Sequence, residues 1–144
     1  MNQVEQPAVE SGVRIRTYPV YIPGHSRPEE NRFFFSYTIE ITNERSTPVQ
    51  LLSRHWIIIN GDGESEEVNG PGVVGKTPTI QPGESFVYTS FCPLNTSWGT
   101  MEGSYAMRDS EGNQFEAPIA RFILAWDSEA QADPDMPLDL PPVD

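Results

Sequence analysis

Residues 32–43, RFFFSYTIEITN, place Phe33, Phe35, Tyr37, Ile39 and Ile41 at alternate positions, with Phe34, Ser36, Thr38, Glu40 and Thr42 between them. Successive side chains of an extended chain point to opposite faces, so this run can bury one coherent face only as a β-strand. A helix would scatter the same residues around its circumference. VRIRTYPVYI (13–22) opens with apolar–basic alternation, and Pro19, which has no N–H, puts its half of that strand at an edge or a break. VQLLSRHWIIIN (49–60) is a second long strand, apolar from Leu51 to Ile59 apart from Ser53, Arg54 and His55. SFVYTSFC (85–92) alternates with Phe86 and Tyr88 on one face. GTMEGSYAMRD (99–109) does so with Met101, Gly103, Tyr105 and Met107, and QFEAPIARFILAW (114–126) is the last strand.

Turn chemistry separates these runs. PGHSRPEEN (23–31) is a turn-rich loop, GDG (61–63) supplies residues that tolerate φ > 0, Pro82-Gly83 marks a turn, and SEGN (110–113) another. ESEEV (64–68) pairs back from the GDG turn as an exposed acidic strand. Fourteen prolines and eleven glycines in 144 residues fit short elements and frequent turns, and no window shows a sustained 3.6-residue period. The pattern predicts an all-β chain: an antiparallel β-sandwich of the immunoglobulin or fibronectin type III kind, one domain over 13–126 with disordered termini. The leader, 1–12, and the acidic, proline-rich tail, 127–144, are expected to stay outside the core.

Charge narrows the function classes. The formal net charge is −12, but all nine basic residues lie between Arg14 and Arg121, and eight of the acids lie outside 13–126, which leaves the body at −4. A nucleic-acid partner is not expected, since phosphate contacts need a basic patch. The single cysteine, Cys92, excludes an internal disulfide or a thiolate metal cluster and fits a reducing compartment. The N-terminus lacks the features of a secretory signal, and no run approaches the roughly 18 apolar residues of a membrane helix. A cytoplasmic location without membrane attachment is the expectation.

The blocks VQLLSRHWIII, VNGPGVVGKTP, IQPGESFVYTS and GTMEGSYAMRD occur in an order and spacing that resemble the ApaG (CorD) family across about 13–126. The resemblance implies a fibronectin-III-like sandwich, a part in cobalt and magnesium homeostasis in bacteria, and an interaction module rather than an enzyme. Members of that family often carry Asp after the Trp-Ile-Ile run, where this chain has Asn60. A neutral side chain there argues against a cation in the turn.

Five features invite a functional reading. EVNGPGVVGKTP (67–78) spaces Gly70, Gly72 and Gly75 as G-x-G-x-x-G, with Lys76 next. In dinucleotide folds that spacing works because a helix starts near the third glycine and points its free N–H groups at the pyrophosphate. Here Pro78 and Pro82 preclude such a helix, which leaves a structural loop or a small nest of backbone amides for an anion or partner. Alternation puts Arg54 on one face with Leu52 and Trp56, and the Ser53-Arg54-His55 triplet is read either as a hydrogen-bonded interior histidine with Arg54 laid over Trp56, or as Arg54 and Trp56 lining a shallow groove for an anionic or peptide ligand, with His55 a candidate beside them. Asp62, Glu64, Glu66 and Glu67 lack the order of a calcium loop, and strand alternation turns Glu67 away from Glu64 and Glu66, so no metal site is assigned. Cys92 precedes Pro93 in a turn region, with no helix N-terminus to activate it, and no catalytic residue is assigned. Trp98, in NTSWGT (95–100), is either a lid on the core or an anchor for a partner.

The reading favoured by the residues is a non-enzymatic binding module without a cofactor, acting through a protein or small-anion partner. Its alternatives are a pyrophosphate or nucleotide binder, with or without hydrolysis, using the glycine loop, and a carbohydrate-binding module.

Overall fold

A computed structural model describes residues 4–5 and 11–126. The expected tail 127–144 and most of the leader lie outside the described residues. The strands are β1 (Val4–Glu5), β2 (Val13–Tyr21), β3 (Phe33–Asn43), β4 (Val49–Asn60), β5 (Ser65–Pro71), β6 (Thr79–Ile80), β7 (Ser85–Leu94), β8 (Trp98–Arg108) and β9 (Gln114–Ala125). All described pairings are antiparallel. One sheet runs β1-β2-β3-β7, and the other runs β5-β4-β8-β9 with β6 also against β4. Two short 3₁₀ turns, Pro23–His25 and Pro28–Glu30, occupy the 23–31 loop. No described helix is long and apolar enough to cross a membrane.

The alternation read from β3 becomes the inner face of the first sheet: Phe35, Tyr37, Ile39 and Ile41 are fully buried. Facing them from the second sheet are Trp56, Met101, Tyr105, Phe122 and Leu124, also buried. Trp56 is the hub, with ring centroids 5.5 Å from Tyr37, 6.0 Å from Phe122 and 6.3 Å from Tyr105, each edge-on. Edge-to-face contacts set the positive rim of one ring against the negative face of the next. The hydroxyls of Tyr88 (β7) and Tyr105 (β8) hydrogen-bond across the sandwich. Buried Asn43 ties the β3–β4 connection, since its Nδ2 donates to the Thr47 and Ile80 carbonyls and its Oδ1 accepts from the Arg45 amide.

Four expectations need correction. Part of the leader adds a strand, because Val4–Glu5 pairs with Arg16–Thr17 on what is otherwise the free edge of β2. The strand after the GDG turn continues to Pro71 and so carries the first glycine of the glycine motif. Cys92 and Pro93 lie within β7 rather than in a turn, since the strand runs to Leu94. The fourth concerns β4. A bulge between Leu51 and Ser53 shifts its phase, so Val49 and Leu51 face the core before it and Trp56 and Ile58 after it. Leu52 therefore does not share a face with Arg54 and Trp56.

Candidate functional site

The glycine segment is a tight hairpin with little free backbone. Val73 and Lys76 exchange both hydrogen bonds, N to O at 2.8 and 2.9 Å, around Val74 (φ 42°) and Gly75 (φ 81°). Two positive φ values in a two-residue loop mark a turn of the I′ kind. The Gly72 amide donates to the Leu52 carbonyl at 2.8 Å. A Cβ on Gly72 would sit 2.3 Å from the Lys76 carbonyl oxygen. The chain then passes through Pro78 into the short strand β6. The amides of Gly72, Val73 and Lys76 are thus bonded within the protein, and no helix begins at Lys76. Gly72 is required by close packing and Gly75 by its positive φ.

Gly70 has a separate reason. It lies opposite Arg54 in the β4–β5 register, and a Cβ there would come within 2.8 Å of the guanidinium. The vacancy lets Arg54 Nη1 donate to the carbonyls of Pro71 and Gly72 at 2.9 and 3.0 Å. Arg54 therefore clamps the loop. Trp56 does not line a groove as the sharper sequence reading had it, because it is fully enclosed between the sheets. His55 is not interior either. It lies on the outer face with Ser53 and Ile57, half exposed, and its Nε2 is 2.9 Å from the Glu67 carboxylate.

That outer face holds a depression of about 320 Å³ lined by Ser53, Arg54, His55, Asn69, Ser104, Ala106 and Glu116. The ladders bring these residues together: His55 stands opposite Asn69 on β5 and Ser104 on β8, Ser53 opposite Ala106, and Ala106 opposite Glu116. Sequence reasoning found Arg54 and His55 but missed Asn69, Ser104 and Glu116, because cross-strand partners follow from register and not from spacing along the chain.

A second cleft, of about 640 Å³, lies at the end of the sandwich, where Glu30, Arg32, Asn60, Glu64, Glu66 and Asn95 meet. Asn60 is structural there. Its Oδ1 accepts from the amides of Asp62 and Glu64, while its Nδ2 donates to the Glu64 carboxylate at 2.7 Å and to Asn95 at 3.0 Å. An aspartate could make the first pair of contacts but not the second. Among the described residues no three His, Cys, Asp or Glu side chains are grouped so as to hold a metal ion.

Cys92 is buried opposite Phe35, and burial, aided by the negative charge of Glu66, pushes its thiol up to about 12 from its ordinary value of 9.0. At pH 8 the native protein is expected to resist a thiol-directed disulfide reagent that labels the urea-unfolded chain fully; fast native labelling would contradict the burial. The thiol is neutral in both states below pH 9, so its contribution to stability is fully present there and is lost as pH rises toward 12, where only the unfolded chain ionises first.

The geometry can be set beside known proteins. The ApaG domain pattern matches residues 23–109. The chain belongs to the ApaG family. ApaG of Methylobacterium nodulans is 53% identical over 113 residues, covering 78% of this chain and 87% of its own length. ApaG of Bordetella pertussis is 46% identical over 125 residues, covering 87% of this chain and 95% of its own. The crystal structure of a Bordetella pertussis protein described as ApaA superposes with a TM-score of 0.79 at 47% identity, over 80% of this chain and 94% of that one. The resemblance seen in four sequence blocks and the sandwich predicted from alternation thus describe the same ApaG fold.

Proposed function

We propose that this ApaG-family chain is a non-enzymatic binding module that recognises a protein partner with the outer face of its five-stranded sheet. Any part in cobalt and magnesium homeostasis then runs through that partner. The observation that carries the reading is the polar depression at His55. Side chains able to donate and accept hydrogen bonds stand on four hydrogen-bonded strands, with His55 oriented by Glu67 and the neighbouring loop clamped by Arg54. Groups held on strands lose little entropy when a partner docks, which favours specific recognition over non-specific adhesion. Glu66 and Glu67 point to opposite faces of β5, which supports an indirect link to cations.

Affinity capture from source cells tests the reading with the Asn69→Arg variant, which fills the depression without touching the core. A protein retained by the parent chain should be lost from this variant and kept by Lys76→Ala. Equal retention by both variants would remove the depression from the interface. Nucleotide binding is tested separately. Titration with ATP is expected to leave the amide resonances of 69–77 in place, because the Gly72, Val73 and Lys76 amides already have partners. Localised shifts that disappear in Lys76→Ala would restore the phosphate reading.

A further inference from the structure

An open sheet has two edge strands whose outer N–H and C=O groups can pair with another chain unless something blocks them. Three of the four edges here are blocked. β1, outside β2, and β6, beside β5 along β4, are two residues long. β5 carries Glu66 and Glu67 and ends in Gly70 and Pro71. β9 carries Glu116, Pro118 and Arg121, and the ladder beside it is bulged between Met101 and Gly103. β7 differs. It is ten residues long, among the described residues it has a ladder only with β3, and the chain holds no charged residue between Glu84 and Glu102. The groups that β7 turns outward follow from its ladder. The Asn43 amide donates to the Glu84 carbonyl at 3.0 Å, and bonded pairs recur at every second residue of an antiparallel ladder. Even-numbered residues of β7 therefore bond to β3, while Ser85, Val87, Thr89 and Phe91 direct their N–H and C=O groups to the open side. Pro93 agrees with this phase, since a residue without an N–H fits a strand where that position faces away from the ladder. Side chains hold the strand flat: the Thr89 hydroxyl bonds that of Thr38 at 2.8 Å, the Ser85 hydroxyl that of Thr42 at 2.7 Å, and Phe91 stacks on Phe34.

We propose that the open edge of β7 pairs with the same edge of a second copy, antiparallel about a two-fold axis at Tyr88. In that register Val87 stands opposite Thr89 of the second copy, and Ser85 opposite Phe91. All four outward amides of each copy then meet a carbonyl, and Pro93 falls just beyond the ladder. A shift of two residues either way is worse. It sets Ser85 against Pro93, which has no amide, or Phe91 against Gly83, whose amide already donates to the Asn43 carbonyl at 2.8 Å. The self-complementary register is thus fixed by the placement of one proline and one turn. Charge favours a second copy at this edge in particular. A chain of net charge −12 repels its own kind, but here no like charges come opposite one another. The contact is small beside the roughly 1,600 Å² of a standard interface, so the expected dissociation constant is about 0.1–1 mM. The His55 depression belongs to the other sheet and stays open on both copies.

Sedimentation equilibrium of the full chain, from about 10 µM to about 1 mM, tests the pairing. The average mass should rise with concentration from that of one chain toward that of two. Val87→Lys and Val87→Glu identify the surface. The Val87 side chain is 56% exposed, so neither change disturbs the core, and both melting temperatures should match the parent. In the proposed register Val87 is the diagonal neighbour of Val87 in the second copy, at about 7–8 Å, within reach of long side chains. Each variant alone then sets like charges across the axis, and its self-association should weaken at least about tenfold. An equal mixture of the two variants sets lysine beside glutamate and should recover the association of the parent. A parent chain that stays monomeric at every concentration would overturn the proposal. A dimer that ignores both substitutions would also overturn it, by placing the contact elsewhere, and so would a mixture that fails to recover.

Discussion

Replacing Gly103 with alanine is expected to lower the melting temperature by about 10 °C or more, from a loss of about 3 kcal/mol. Gly103 lies on β8 between Trp56 of β4 and Ile119 of β9. A Cβ there would fall 1.9 Å from the His55 carbonyl oxygen, 2.9 Å from its carbon and 3.1 Å from the Trp56 Cα. These are backbone atoms in the middle of a sheet, so they cannot swing aside as the end of a lysine could. Relief requires β4 and β8 to part, and the ladder that places His55 beside Ser104 parts with them. Gly24→Ala is the control: nothing lies within 4 Å of its added Cβ, and its melting temperature should match the parent. An unchanged melting temperature for Gly103→Ala would mean that the close approach of the two strands is not real. If the variant folds, reduced partner capture alongside reduced stability would tie the strand contact to the depression.

How much of this was legible beforehand depends on the range of the interaction concerned. The strands were legible because alternation is local: β3 could be read from twelve consecutive residues, and its inner face is the one predicted. The bulge in β4 was written in the sequence less plainly. Val49 and Leu51 are odd-numbered, Trp56 and Ile58 even-numbered, and a polar triplet separates them, so the phase of burial must change between. Reading a constant phase through Leu52 missed it. The turn at Val74-Gly75 ran against local preference, since a β-branched residue rarely adopts positive φ, and Val74 does so at 42° only because the Val73–Lys76 hydrogen bonds hold it. Propensity argued against the correct answer there. The depression could not be read at all, because Asn69, Ser104 and Glu116 meet His55 and Ala106 only through the registers of three different strand pairs.

Trp56→Ala should cost about 4 kcal/mol, the scale of a large aromatic removed from a packed core, and Trp56→Phe far less. The alanine variant leaves Tyr37, Tyr105 and Phe122 without the ring on which all three converge edge-on, and neither sheet has a side chain free to fill the space. The phenylalanine variant differs for a reason beyond size. The Trp56 Nε1 is buried and has no hydrogen-bond partner among the described residues, so the native chain already bears the cost of an unsatisfied donor. Phenylalanine removes that donor while keeping an aromatic ring at the hub. The recovered desolvation, about 1–3 kcal/mol, offsets much of the smaller cavity. Urea unfolding of the three proteins at equal m-value separates the two contributions. If phenylalanine proved as damaging as alanine, the indole N–H would have a partner such as a buried water, and the tryptophan would be held by polarity as well as by packing. The expected order, with phenylalanine close to the parent, makes Trp56 a packing residue. The proposed binding chemistry then rests on its neighbour His55, one residue along and on the opposite face of the same strand.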